Sequence, residues 1–367
     1  MTTFAERNPT TNLTILDGSN INYHVVRSAG ARYTVLDGFT VRRGYANGAS
    51  PDMYGGGLYI DGGSPLIYNC AFTNNSAPKT SSPYGRGGAF YVVSLSVVDP
   101  ASTFSNCLFV LNTACEAGGA GFLYSRYPTF QKCTFRKNYT TTYPYGGALY
   151  AQYGVFRNCA FITNGTSSSP ATQGGAICAG WGKDIVIYNS TFLNNVAGYG
   201  GAILVYHGGQ IVRLVNCSFS QNSAATQGGA IHMSNDGTTN ITLTVTNSIL
   251  WDDSSPTGPE IYLGVGSVTV GYSDVKGGYA GTSNLNANPL YVSPGGDLHE
   301  QSRYGHWTSS GWIADLSNSP CIDMGDPASA YAREPLGNGR RINMGAYGNT
   351  DEASLTIYPA GTIFQFN

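Results

Sequence analysis

Charged residues are scarce in this sequence, at 11% of its length, against about 25% in an average soluble domain. The 19 Lys and Arg nearly balance the 21 Asp and Glu, which gives a net charge of −2. No basic run stands out, and this argues against nucleic acid as a partner. No stretch approaches the roughly 18 consecutive apolar residues of a membrane-spanning helix. The low charge therefore predicts a neutral surface of Gly, Ser, Thr, Asn and Tyr, typical of secreted β-proteins.

Close pairs of histidines are also absent from the sequence. The five histidines are far apart and form neither an HxH nor an HxxxH pair, so a zinc site is not expected. No GxSxG elbow occurs, and a Ser-His-Asp triad would have to be built without that anchor. The N-terminus has no signal-peptide pattern, and the chain begins inside a repeat at residues 13–18. We therefore expect that a leader has been removed and that the protein is secreted or lies at the cell surface.

What the sequence has in excess is a glycine-rich repeat. Each copy opens with a Gly pair, continues through a β-rich stretch to Asn-Cys-x-Phe or a close variant, and has an Asn three residues after the aromatic. Successive Cys-type positions are 26 to 37 residues apart, so constant strands alternate with loops of variable length. The Cys-type positions are Cys70, Cys107, Cys133, Cys159, Ser190, Cys217 and Ser248, and the Asn-type positions are Asn75, Asn112, Asn138, Asn164, Asn195, Asn222 and Asp253.

The repeats predict strands and not helices, because the apolar alternation has a period of two and a Gly pair would break a helix in every copy. Three short strands and three bends per repeat give one coil, and successive coils stack as parallel strands roughly 4.8 Å apart. We predict an all-β, single-stranded right-handed parallel β-helix over residues 1–290. An irregular C-terminal cap is expected over residues 291–367, since terminal repeats must be covered. The Asn row is expected to form a ladder at one bend.

These features resemble bacterial extracellular right-handed parallel β-helix repeat proteins, which have the pectin-lyase-like architecture. The resemblance is carried by residues 34–41 (TVLDGFTV), by the Gly-Gly-Ala and Asn-Cys-x-Phe coils, and by residues 319–327 (SPCIDMGDP) and 341–348 (RINMGAYG). The last two segments are similar to the terminal segment of anchor-bearing β-helix proteins of environmental bacteria. The resemblance implies the fold, whereas the architecture hosts lyases, glycosidases, esterases and adhesins. Such proteins usually carry a helical N-terminal cap, so a capping domain is expected as a partner.

The cysteines are predicted to be free. Cys70, Cys107, Cys133 and Cys159 occupy one position in four successive coils, and a straight column of thiols cannot surround a zinc ion. Disulfides between neighbours would suit the Cα spacing but not the parallel side chains. We expect buried thiols that pack as small hydrophobes. Cys178 is the expected exception, an exposed thiol on the outer face.

A row of aromatic residues is predicted on the outer face of the strands that follow the Gly pairs. Aromatic faces suit sugar rings because they offer an apolar platform beside a hydroxyl, and a row along the axis would match a polysaccharide chain. Cross-strand stacking that stabilises the sheet and a protein interface remain open as alternatives. The predicted substrate-binding residues are Tyr59, Tyr91, Tyr124, Tyr150, Trp181 and Tyr206.

Candidate catalytic residues lie beside this row. A glycosidase needs two carboxylates about 5–10 Å apart, and a β-eliminating lyase needs a base and a neutralising cation. No recognised signature of either class is present. The candidates are Asp61, Arg126, His207 and His232. Whether the protein is an enzyme is left open; if it is one, a polysaccharide lyase or glycoside hydrolase is expected.

Calcium is the one cofactor for which the sequence offers ligands. Asp323, Asp326 and Glu334 could coordinate it through oxygen. The same residues could equally form turns. In that case no cofactor is predicted.

The leading interpretation is an extracellular carbohydrate-binding or polysaccharide-processing β-helix, with a polysaccharide or glycan in its Tyr-lined groove. A non-catalytic surface or adhesin module, in which the solenoid is a rigid spacer, is the first alternative. The second is a small-molecule hydrolase with a pocket walled by the long insertions at residues 74–86 and 166–173.

Overall fold

A computed structural model describes residues 13–94, 101–125, 127–143, 145–165, 172–182, 184–234 and 240–357. Regular structure in these ranges consists of β-strands alone. None of the ranges contains a helix with the length and apolar character needed to cross a membrane. Strands of successive coils pair in parallel, and this confirms the predicted all-β parallel β-helix.

Sheet 1 contains one strand from each of nine coils, and the seven strands between the first and the last each follow a Gly pair. We number the coils 1 to 9 in this order. Residues at equivalent positions lie in register, such as Tyr59 with Tyr91 and Phe122 with Tyr150. The strands are Val26–Ala29, Leu58–Asp61, Phe90–Ser94, Gly121–Ser125, Leu149–Ala151, Ile177–Ala179, Ile203–Val205, Ile231–Met233 and Ile261–Leu263.

Sheet 2 has 17 strands and wraps around two further sides of the coils. In two coils a ten-residue strand covers both sides, since Asp184–Leu193 and Ile211–Ser220 continue through the bend. The other strands are Thr14–Asp17, Arg32–Asp37, Phe39–Arg42, Ser64–Tyr68, Ala71–Thr73, Thr103–Ser105, Leu108–Val110, Thr129–Gln131, Thr134–Arg136, Gly154–Arg157, Ala160–Ile162, Thr242–Thr246, Ile249–Trp251, Ser267–Gly271 and Asp274–Val275.

Short ladders complete the coils, and two hairpins follow them. One ladder contains Ser76–Ala77, Thr113–Ala114 and Tyr139–Thr140, and another contains Val196–Tyr199 and Ser223–Gln227. The C-terminal segment has two antiparallel hairpins, formed by Tyr291–Ser293 with Asp297–Glu300 and by His306–Thr308 with Gly311–Ile313.

The coils turn at residues with positive φ. The first such position precedes the Cys-type residue, with φ between 47° and 53° from Asn69 to Asn247. A second precedes the ladder Asn, and a third is the first Gly of each pair. At Gly118, for example, φ is 63°, and a Cβ would lie 1.9 Å from the carbonyl oxygen of Gly121. Gly, and to a lesser degree Asn, tolerates this backbone region better than other residues, which explains why both recur at the bends.

Columns of Phe rings fill the interior. In the longest column, which runs from Phe72 to Phe219, neighbouring ring centroids are 4.5–5.2 Å apart. A second column from Phe104 to Phe156 has spacings of 4.7 and 5.0 Å. Stacked aromatic pairs add about 0.5–1.5 kcal/mol each beyond their buried area. The core is therefore continuous along the solenoid axis.

All eight cysteines are free and buried, as predicted for the column that begins at Cys70. The expected exposure of Cys178 is wrong. Its side chain is on the outer face of sheet 1 and pairs with Tyr150, but it is fully buried in a second apolar cluster that covers this face. Burial raises the pKa of the Cys178 thiol, which therefore stays protonated.

The predicted Asn ladder is confirmed. Each Oδ1 accepts hydrogen bonds from the backbone N and from Nδ2 of the preceding rung, and each Nδ2 also donates to a backbone carbonyl. Asn138 Nδ2 donates to Phe109 O at 2.9 Å and to Asn164 Oδ1 at 3.0 Å. The ladder ends at Asp253, whose Oδ1 accepts from Asn222 Nδ2 at 2.7 Å.

The C-terminal segment packs along the side of the later coils. Asn189 Nδ2 donates to Ala346 O and Gly348 O, and Asn216 Nδ2 donates to two further carbonyls of the segment. An apolar cluster joins the segment to the coils. It is formed by Leu193 and Ile249 of the coils and by Tyr291, Leu298, Cys321 and Met344 of the segment. The segment therefore covers the flank of several coils and not only the last one, while the domain boundary after residue 290 stays a prediction.

Candidate functional site

The outward residue nearest each Gly pair forms a column on sheet 1. In coil 4 this residue is Phe122 and not Tyr124, because Phe122 pairs with both Tyr91 and Tyr150. Tyr124 is the next outward residue of the same strand. Arg126, two residues further along the chain, lies outside the described residues.

The column is not an open platform. Ring centroids of Tyr59, Tyr91, Phe122 and Tyr150 follow one another at 5.8, 5.2 and 4.8 Å with nearly parallel planes. Tyr54 stacks on Tyr91 from outside at 4.5 Å. The three tyrosines of the column are only 5%, 7% and 6% exposed. The expectation that they present free ring faces to a ligand is wrong, because those faces are used in cross-strand stacking.

A wall of side chains stands beside sheet 1 and was not recognised from the sequence. It is formed by the residue before each Gly pair, and these residues bridge to one another in parallel from coil to coil. Arg86 leans over sheet 1, with its Cζ 5.1 Å from the centre of the Phe122 ring. The signal was available, since the wall residues are as regularly spaced as the column. They are Tyr54, Arg86, Ala117, Tyr145, Gln173, Tyr199, Gln227 and Thr257.

A cleft of about 470 Å³ lies between this wall and sheet 1 over coils 3 to 7. It brings together five predicted residues, namely Tyr124, Tyr150, Trp181, Tyr206 and His207. Its other lining residues were missed as site residues by the sequence analysis, and they are Arg86, Glu116, Ala117, Phe122, Tyr145 and Gln152.

Trp181 projects at the mouth of this cleft. Its side chain is 65% exposed, and its φ is 55°. A bulky residue in the left-handed region costs roughly 1–2 kcal/mol, and such strain clusters at functional sites. The indole packs on the His207 ring with a centroid separation of 4.0 Å. Gly180 makes room beneath, since a Cβ there would lie 2.6 Å from Tyr150 Oη and 2.9 Å from His207 Cδ2.

Comparison with known proteins identifies the solenoid. The family model for the right handed beta helix region matches residues 26–276, well over half of the chain. The chain belongs to the right-handed β-helix family. A second family model, described as disaggregatase related, matches residues 267–325, from the last coil into the C-terminal segment. No curated protein and no solved structure gives a significant match.

The predicted catalytic residues of this β-helix are spread along its axis. Asp61 is in coil 2, with its carboxylate 3.8 Å from Arg27 Nη2. His232 is in coil 8, roughly 29 Å away at about 4.8 Å per coil, and burial lowers its pKa to about 4. Only His207 lines the cleft, and Arg126 is not among the described residues. Asp61, His207 and His232 therefore do not form one catalytic centre.

One ion pair supplies the formal charge in the described lining of the cleft. Arg86 Nε and Nη2 donate to the two carboxylate oxygens of Glu116 at 2.6 and 2.9 Å. Burial disfavours the charged guanidinium, but the hydrogen bond to Glu116 and the negative charge of that carboxylate together raise the pKa of Arg86. Burial also raises the pKa of the Tyr145 and Tyr150 hydroxyls. The lining thus offers aromatic surface, neutral hydroxyls and the Gln152 amide.

The carboxylates considered for calcium are engaged with the backbone. Glu334 Oε1 accepts from two amides at 2.9 Å each. Asp323 Oδ1 accepts from the N of Gly339 at 3.1 Å, and Asp326 Oδ1 from the N of Ala328 at 2.9 Å. Within the described ranges, no group of three or more His, Cys, Asp or Glu side chains is placed to hold a metal ion. These hydrogen bonds favour the turn-forming interpretation of the three residues.

Proposed function

We propose that this β-helix binds a polysaccharide or glycan in the cleft over coils 3 to 7, and that it does so outside the cell or at its surface. The observation that carries the proposal is Trp181, held at positive φ and largely exposed at the cleft mouth. An exposed aromatic ring offers a sugar ring an apolar face. Matches to the right-handed β-helix and disaggregatase-related families fit a polysaccharide-related role.

A second exposed ring supports an extended ligand. Tyr124 is 41% exposed and lies in coil 4, whereas Trp181 directly follows the strand of coil 6. Two coils correspond to about 10 Å along the axis. Gln152 and the hydroxyl of Tyr150 lie in the coil between them and can hydrogen-bond to sugar hydroxyls. The two rings would then contact different sugar units of one chain that lies along the solenoid.

The carboxylates favour binding over hydrolysis. A glycosidase needs two carboxyl groups about 5–10 Å apart. Among the described lining residues of the cleft, Glu116 is the only carboxylate, and both its oxygens are bonded to Arg86. Cleavage would therefore require a lyase-type base, for which His207 is the candidate in the cleft.

A rigid surface module is the second candidate function, and the buried aromatic column favours it. Stacking from Tyr59 to Tyr150 stiffens sheet 1 without any need for a ligand. In this function the apolar side chains exposed in coil 1, among them Tyr33 and Val35, would be covered by an N-terminal capping domain. Light scattering over a concentration series tests for end-to-end assembly of copies without that domain.

Calorimetric titration with a panel of oligosaccharides tests glycan binding. Trp181→Ala should weaken binding about tenfold or more, since it removes the exposed ring. Trp312→Ala is the matched control, because Trp312 is 40% exposed in a C-terminal hairpin outside the cleft. Equal affinity of the two variants for a glycan, or no binding by the parent protein, contradicts the proposal. New reducing ends and ultraviolet absorbance of unsaturated products, followed on polysaccharides, separate hydrolysis and elimination from binding alone.

A further inference from the structure

The ion pair in the cleft bears on which glycans can enter. We propose that the cleft selects uncharged glycans, and that Glu116 is the residue that keeps Arg86 from binding acidic sugars. This inference rests on the proposed glycan-binding function and names the ligand class for the same site.

The guanidinium of Arg86 is engaged on two sides. Its Nε and Nη2 edge makes a bidentate bond to Glu116, at 2.6 and 2.9 Å, which is the geometry with which Arg would otherwise hold a sugar carboxylate. Its face lies over the Phe122 ring, 5.1 Å from the ring centre. The Arg86 and Glu116 side chains are 32% and 18% exposed, so the pair sits in the lining of the cleft. A uronate would have to displace Glu116 and leave that carboxylate without its partner, which is costly at a partly desolvated site.

The remaining described lining is suited to hydroxyl groups. Tyr145, Tyr150 and Gln152 offer neutral donors and acceptors, and Trp181 offers ring surface. None of these interactions distinguishes against a neutral sugar, whereas the Glu116 carboxylate repels an anionic one. The Glu116 carboxylate thus excludes acidic glycans by repulsion, whereas the neutral lining residues attract any glycan.

Two further cationic residues are close in sequence to residues that line the cleft, and both are tested as variants. Arg126 and Lys183 lie outside the described residues, near Tyr124 and Trp181 in sequence. The double variant Arg126→Gln/Lys183→Gln shows whether they contribute to the binding of any acidic glycan.

The experiment uses pairs of oligosaccharides that share linkage and length and differ only in a hydroxymethyl or carboxylate group at C6. The parent protein should bind the neutral member at least about tenfold more tightly. Glu116→Gln frees the Arg86 fork and should improve binding of the acidic member about tenfold or more, the scale of a hydrogen bond to a charged group. Arg86→Gln/Glu116→Gln is the matched control, which should bind the neutral member and gain nothing for the acidic one. Thermal melting checks that each variant folds.

Each outcome has a distinct meaning. If the parent protein prefers the acidic member, or if folded Glu116→Gln gains no affinity for it, the inference is overturned while glycan binding stands. If the parent protein binds neither member of any pair, the proposed function itself fails. Should Glu116→Gln not fold, the preference of the parent protein still decides the inference.

Discussion

Replacing Asn138 by Ala should interrupt the interior ladder at its third member. The Asn138 side chain donates to Phe109 O and Asn164 Oδ1, and its Oδ1 accepts from the backbone N and Nδ2 of Asn112 at 3.0 Å each. Alanine leaves two hydrogens of Asn112 without partners at a fully buried site and removes one donor from Phe109 O. Each unsatisfied buried group costs about 1–3 kcal/mol. For two such hydrogens we expect the free energy of unfolding to fall by about 2–6 kcal/mol.

Guanidinium denaturation followed by circular dichroism measures this loss. Asn106→Gly is the matched control, because Asn106 is an exposed Asn at a bend with φ of 53°, a conformation that Gly tolerates. Its amide donates to Asn69 Oδ1 at the surface, so the control should lose less than about 1 kcal/mol. A loss for Asn138→Ala no greater than that of the control would refute the view that buried amides hold the coils together.

Three further outcomes follow from buried or strained groups. Burial raises the pKa of Glu300 from 4.5 to about 8. Its contribution to the free energy of unfolding is therefore fully present below about pH 4.5 and is lost as the pH rises through 8, by roughly 5 kcal/mol at about 1.4 kcal/mol per pH unit. Thermal melts of Glu300→Gln should lose that part of the pH dependence, and an unchanged profile would exclude Glu300 as its source. Trp181→Gly should be more stable than Trp181→Ala by about 1 kcal/mol, because Gly relieves the positive φ; the reverse order in denaturant titrations would show that this turn is unstrained. Cys178 should resist a thiol reagent in the native protein and react after denaturation, whereas rapid native labelling would contradict its burial.

Repeat spacing predicted the strands, bends and ladder correctly, because these depend on local positions that recur in every coil. The predicted register of coil 4 was wrong. Gly121 stands where other coils have an apolar inward residue, and the Phe90 ring of the coil before fills the space, since a Cβ on Gly121 would lie 2.0 Å from Phe90 Cζ. Counting from the Gly pair gives Phe122 as the outward residue, whereas matching by residue type gave Tyr124.

The candidate site was predicted in part. Trp181, Tyr206 and His207 were placed near one another because they follow neighbouring strands of sheet 1. The burial of Tyr91 was not predicted, because the wall that contains Tyr54, which stacks on Tyr91, was not recognised from the sequence. Nor did the sequence reveal how far the C-terminal segment extends along the coils, since its contacts join residues more than 120 positions apart.

The Asn ladder has a direction and therefore a last member. An Asn amide has two hydrogens, one for the backbone carbonyl and one for the next rung, whereas an ionised carboxylate has none and a protonated carboxyl has one. Asp253 can thus accept both hydrogen bonds from Asn222, but it cannot donate both to a backbone carbonyl and to a further rung. An internal Asn rung makes the same bonds to the coil before it and to the coil after it, so the ladder itself sets no limit on the number of such rungs. The ladder of hydrogen bonds therefore ends at Asp253 in coil 8, and coil 9 stacks on that coil through its paired strands.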